Sequence, residues 1–116
     1  MLILSAAYNG EMKIDSAHIR QIESKVKAER AEVSALDSKL TENGAPYSKW
    51  KLRQAMSRLN EVETFLLPQA LKAQTEYYAA KWLETAEYEI AAAVQTRQNV
   101  QKDSDTFGPD MAEIGD

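Results

Sequence analysis

The residues able to do chemistry in this chain are few. There is one histidine, His18, and there is no cysteine. A transition-metal site would therefore have to be built mostly from carboxylates, and no carboxylate set with ligand spacing accompanies His18. A Ser-His-Asp arrangement would need a glycine-rich nucleophile elbow, which is absent. Glu84, Glu87 and Glu89 lie near Trp82 and Tyr88, and paired carboxylates can do acid–base work. On a helix, however, Glu84 and Glu87 are neighbours on a face that water serves equally well. The four glycines fall in turns or in the tail, so no loop is left to cradle a phosphate, and no P-loop, dinucleotide fingerprint or EF-hand loop is present. No catalytic residue, cofactor or metal is expected.

The basic and aromatic stretch "SKWKLRQAMSR" sets Lys49, Lys51, Arg53 and Arg58 around Trp50. A nucleic-acid contact would use such a patch, but four cations at a helix start serve as well to meet water or an acidic partner. The net charge of −4 divides unevenly: Asp103, Asp105, Asp110, Glu113 and Asp116 give residues 103–116 a side-chain charge of −5, which leaves +1 for residues 1–102. Such a body offers little to a phosphate backbone, so nucleic acid is not an expected partner. The acidic tail of a neighbouring subunit would suit the patch around Trp50.

Positioning these residues falls to helices. A chain of 116 residues holds one domain with a modest core. The opening "MLILSAA" has no basic residue before it, and nothing approaches the roughly 20 apolar residues of a membrane span, so a soluble, unprocessed, cytoplasmic protein is expected. Punctuation is sparse: Gly10, the Asn43-Gly44-Ala45-Pro46 cluster, Pro68, and Gly108-Pro109. The first helix is predicted from about 15 to 42, capped by Asp15 or Ser16 and ended by Gly44. Ile19, Ile22, Val26, Val33, Leu36 and Leu40 occupy heptad a and d positions, interrupted only by Glu29. Lys25 and Glu32 at g, against Arg30 and Asp37 at e, would repel in a parallel homodimer. An antiparallel partner, the next helix of the same chain, is favoured.

A second helix is predicted over 48–66, capped by Ser48, with Leu52, Ala55, Leu59, Val62 and Leu66 on one face and Met56 and Phe65 broadening it. Pro68 either kinks this helix or begins the next. The third is predicted over 69–102, its buried side marked by Leu71, Tyr78, Trp82, Ile90, Ala93 and Val100, with Tyr77, Leu83 and Tyr88 off that line. At 1.5 Å per residue it would be about 50 Å long. A compact domain of this size has a radius of gyration of only about 13 Å. This helix therefore projects, and its aromatics need a cover.

At the other end, Asn9-Gly10 between alternating apolar residues signals a two-residue β-hairpin within residues 1–14. An isolated hairpin is marginal in water, so it must lie on the helices or join a neighbour's edge. Residues 103–116 form an acidic flexible tail with Phe107, Met111 and Ile114 as isolated apolar side chains.

The fold expectation is thus all-α: an elongated antiparallel helical hairpin or three-helix coiled-coil-like bundle with a short N-terminal β-hairpin or extended arm. Function is expected through protein contacts rather than catalysis, with Leu2, Leu4, Tyr8, Met12, Ile14, Trp50, Tyr77, Tyr78, Trp82, Tyr88, Phe107 and Met111 as the interaction residues. The partner is first of all the chain itself, in a homo-oligomer or larger assembly. The alternative is a small inhibitor that blocks a heterologous protein. Trp50 is followed by Lys51 and Leu52, not by the glycine that small secreted WXG-type proteins carry. In its small size, absent cysteine, long helices and terminal arms the chain resembles virion assembly proteins and small phage-encoded inhibitors. That resemblance implies a host cytoplasm or a virion as the setting.

Overall fold

A computed structural model of the chain describes residues 16–40 and 45–107. Every regular element among them is helical: α1 (Ser16–Lys39), α2 (Pro46–Glu61), a π-helical turn (Val62–Leu66), α3 (Leu67–Lys72) and α4 (Glu76–Phe107). The protein is all-α over these residues. The hairpin expected within residues 1–14, the cap at Asp15 and the left-handed Gly44 lie outside the described residues. The molecule measures 58 × 20 × 18 Å with a radius of gyration of 18.0 Å, well above the compact value.

Each long helix buries one stripe at alternating spacings of three and four. On α1, Ile19, Ile22, Val26, Val33, Leu36 and Leu40 are all buried. Glu29 continues the stripe in register and is buried as well. On α2 the buried line is Ala45, Ser48, Leu52, Ala55 and Leu59, carried on by Val62 in the π turn. Residues on these stripes come from all four helices and form one apolar cluster. Side-chain pairs order the helices against one another. Lys49 meets Asp37 and Arg30 meets Glu63, so α2 runs back along α1. His18 meets Glu87 and Glu29 meets Arg97, so α4 runs in the direction of α1.

The helix boundaries differ from the sequence reading at three places. First, α2 starts at Pro46 rather than after a Ser48 cap. Proline is favoured at the first helical position because its missing N–H would have no partner there. Ser48 lies inside the helix, fully buried.

Second, the helix continues through Pro68 well past the boundary expected at 66: α2 passes through the π turn directly into α3, in whose first turn Pro68 lies, and stops at Lys72. A proline ring inside an α-helix collides with the carbonyl four residues back, here that of Thr64, and supplies no donor. The wider turn just before it relieves this, with the Leu67 N–H bonding to the Val62 carbonyl five residues back. The extra residue in that turn also rotates the helix enough to bury Leu66 and Leu67 side by side.

Third, the break falls at residues 73–75, where Ala73 is extended at φ −63° and ψ 142°. Thr75 caps α4, its Oγ1 accepting from the Tyr78 N–H at 3.2 Å, and Glu76 adds an acid to the first turn. At its far end α4 reaches Phe107, so the first five residues of the expected tail are helical; residues 108–116 lie outside the described residues.

The buried side of α4 also needs correction. Ile90, Ala93 and Val100 are buried as expected, but Leu71 and Tyr78 are 61% and 59% exposed, and Leu83 is buried. The working stripe is Ala79, Leu83, Ala86, Ile90, Ala93, Arg97, Val100 and Ser104. Alanine carries half of its apolar members. A stripe this low in apolar bulk is easily overlooked beside aromatic residues on other faces.

Candidate functional site

The groups first considered for chemistry are scattered by the fold, with one exception. His18 Nε2 lies 2.8 Å from Glu87 Oε2, and both side chains are well exposed to water. This dyad joins the start of α1 to α4. Glu84 instead pairs loosely with Lys81 on its own helix at 3.7 Å, and Glu89 accepts from Arg58 Nη1 at 2.7 Å. The three carboxylates thus serve three different partners, and none opposes another across a cleft. Among the described residues no three His, Cys, Asp or Glu side chains gather as they would around a metal ion.

The basic patch around Trp50 is largely consumed within the chain. Lys49 is buried, and its Nζ donates to the Asp37 carbonyl at 2.8 Å and the Leu40 carbonyl at 3.4 Å while meeting the Asp37 carboxylate at 3.2 Å. It closes the C-terminal end of α1, where carbonyls lack helical donors and a cation meets the negative end of the helix dipole. Replacing Lys49 by methionine keeps the packing and removes the cap. We expect a loss of about 1–2 kcal/mol of unfolding free energy in urea titrations. Arg58 is held by Glu89, and Lys51 sits 4.6 Å from the centroid of the Tyr47 ring. Arg53 alone of the four makes no ion pair or ring contact among the described residues.

What the fold does present is aromatic surface. Tyr47 and Trp50 stack at 5.8 Å, half exposed, at the start of α2. Phe65 in the π turn meets Trp82 edge-on at 5.6 Å; Phe65 is 46% exposed while Trp82 is partly buried against the core. Tyr77 and Tyr78 meet edge-on at 5.2 Å, and Lys81 lies 5.5 Å from the Tyr77 ring. Tyr88 is the most exposed of the set at 68%. Between α2 and the C-terminal half of α4, on the side away from the core, lies an open groove of about 600 Å³ bordered by Trp50, Gln54, Ser57, Glu61, Thr96 and Asn99.

The chain was compared with protein-family models, curated proteins and solved structures. It matches none of them. The site must therefore be read from its own geometry. Of the residues expected to make contacts, Trp50, Tyr77, Tyr78 and Tyr88 are exposed, and Trp82 is shared between core and surface. Leu2, Leu4, Tyr8, Met12, Ile14 and Met111 lie outside the described residues; Phe107 is the last residue of α4. Sequence reading missed Tyr47, Phe65 and Leu71 as exposed apolar residues. Tyr47 lies one residue after a proline that starts a helix, which puts it on the outer first turn. Phe65 and Leu71 were masked by the π turn and by the break at 73–75. No helix among the described residues is long and apolar enough to cross a membrane.

Proposed function

We propose that this chain is a non-catalytic protein-interaction protein, a structural or assembly subunit that associates with copies of itself. The supporting observation is an asymmetry. The exposed large apolar residues Tyr47, Trp50, Phe65, Leu71, Tyr77, Tyr78 and Tyr88 all belong to α2, the π turn, α3 and α4, and none belongs to α1. Single exposed apolar residues need no explanation, but ring pairs left at the surface, as at Tyr47–Trp50, Phe65–Trp82 and Tyr77–Tyr78, are local apolar patches of the kind that contacts cover. Tyrosine and tryptophan are also the side chains that interfaces favour.

On this reading the three helical runs act as a coiled-coil-like bundle, with the arm at 1–14 and the tail after Phe107 as further contact segments. The cysteine-free composition suits a reducing cytoplasm, or the interior of a viral particle if the chain is a viral assembly protein. The test is the absolute mass of the full chain by light scattering over a wide concentration range. A discrete oligomer supports the reading; a monomer at every concentration overturns self-association and leaves only a heterologous target.

A further inference from the structure

The outer face of α2 has an internal symmetry. Around Ser57, the residues three and four positions away on either side, Arg53, Gln54, Asn60 and Glu61, share a helix face with it, and Trp50 lies one turn further back on that face. All of them, from Trp50 to Glu61, are exposed, while Leu52, Ala55 and Leu59 between them are buried. This is a second stripe at coiled-coil spacing, back to back with the one that builds the core.

When two such stripes are laid antiparallel across a twofold axis at Ser57, residues equally far before and after it come face to face. Arg53 meets Glu61 of the second copy, and Gln54 meets Asn60. Opposite charges and amide pairs coincide, and the residue on the axis is small enough for two helices to approach at about 8–10 Å. A parallel arrangement would set each charge against itself. Arg53 and Glu61 make no ion pair within their own chain among the described residues, whereas the neighbouring Arg58 and Glu63 are held by Glu89 and Arg30. The groove bordered by Trp50, Gln54, Ser57 and Glu61 runs along this stripe.

We infer that this face of α2 is an isologous interface, in which a second copy of the chain packs antiparallel about Ser57, with Arg53 and Glu61 forming two symmetry-related ion pairs. The inference rests on the self-association reading and specifies its surface. A closed twofold contact of this kind is the commonest among oligomers. From Trp50 to Glu61 the stripe is about 17 Å long. Across a molecule 20 Å wide, it buries on the order of 300 Å² per copy, about 600 Å² in total, which is below the roughly 1,200 Å² of stable interfaces and belongs to weak, transient association. The dimer is accordingly one that dissociates on dilution.

The experiment uses sedimentation equilibrium on the full chain and on Arg53→Glu, Glu61→Arg and the double exchange, with helix content checked by circular dichroism. Each single reversal turns two attractive pairs into two repulsive ones and is expected to weaken dimerisation about tenfold or more. The double exchange restores it. Because the chain has no cysteine, Ser57→Cys introduces a lone thiol on the axis, expected to crosslink under mild oxidation, whereas Ser34→Cys on exposed α1 does not. An oligomer indifferent to the single reversals and to the site of the thiol overturns this interface while leaving self-association intact. A chain monomeric throughout overturns both.

Discussion

Arg97→Leu is expected to lower the unfolding free energy by roughly 3–5 kcal/mol, because it strands a carboxylate in the core. Glu29 is 6% exposed on the buried stripe of α1, and Arg97 occupies the corresponding stripe of α4. The guanidinium grips the carboxylate with two nitrogens: Nε donates to Oε2 and Nη2 to Oε1, the latter at 3.1 Å. Bidentate geometry of this kind satisfies both carboxylate oxygens. The reverse change, Glu29→Leu, should cost less. Arg97 keeps 19% of its side chain exposed and has a long apolar stem, so its charge can turn outward to water. Replacing both residues by leucine should be neutral or stabilising, since two desolvated charges give way to apolar packing. Urea titrations of the four proteins check the whole cycle. A single-variant loss below about 1 kcal/mol would mean that the pair is not buried in solution.

The pH dependence of that result has a definite sign. Hydrogen bonding to the Glu29 carboxylate raises the Arg97 pKa above its ordinary value, against the opposing effect of burial. A raised pKa contributes stability fully below the unfolded value and loses it only as pH climbs through the folded one, far into alkali. In wild type the Arg97 contribution should therefore hold steady from about pH 6 to 9 in urea titrations.

A comparable loss, about 3 kcal/mol, is expected for Ala93→Leu. Ala79, Ala86 and Ala93 recur every seventh residue on α4, at 4%, 0% and 0% exposure. They alternate with Leu83, Ile90 and Arg97, so layers of small and large side chains follow one another along the helix. Ala93 is fully buried in the core, and an interior packed to crystal density has no room for three added carbons. The matched control is Ala91→Leu, exposed two residues away, where alanine and leucine have similar helix propensities and the change should stay within about 0.5 kcal/mol. Thermal unfolding followed by circular dichroism separates the two. If Ala93→Leu stabilises the protein, the layer holds a cavity rather than a close contact.

Much of this was legible in advance for particular residues. The α1 seam from Ile19 to Leu40 and the α2 face from Leu52 to Leu66 could be read directly, because bulky aliphatic residues at regular spacing have one economical place to go. The start of α4 was not read, although Thr75-Glu76 carries a cap and a first-turn acid; without glycine or proline nearby, that pair did not stand out against a long helical run. Exposed tyrosines at 77, 78 and 88 and the half-exposed Trp50 were anticipated as contact residues.

Periodicity, punctuation and composition are local properties, and they established the helical character of the described residues, that the chain turns between α1 and α2, and the apolar stripes of those two helices. Other features depend on partners distant in sequence. Glu29 reads as a defect in the α1 stripe until Arg97, 68 residues away, is seen to fill the same layer. Lys49 reads as part of a cationic surface until the carbonyl end of α1 folds over it. The passage of the helix through Pro68 hinges on a π turn that buries Leu66 and Leu67 together, a gain that exists only once α1 and α4 are in place to receive them. A charge, a proline or an alanine has its meaning set by what packs against it, and that is a property of the assembled helices.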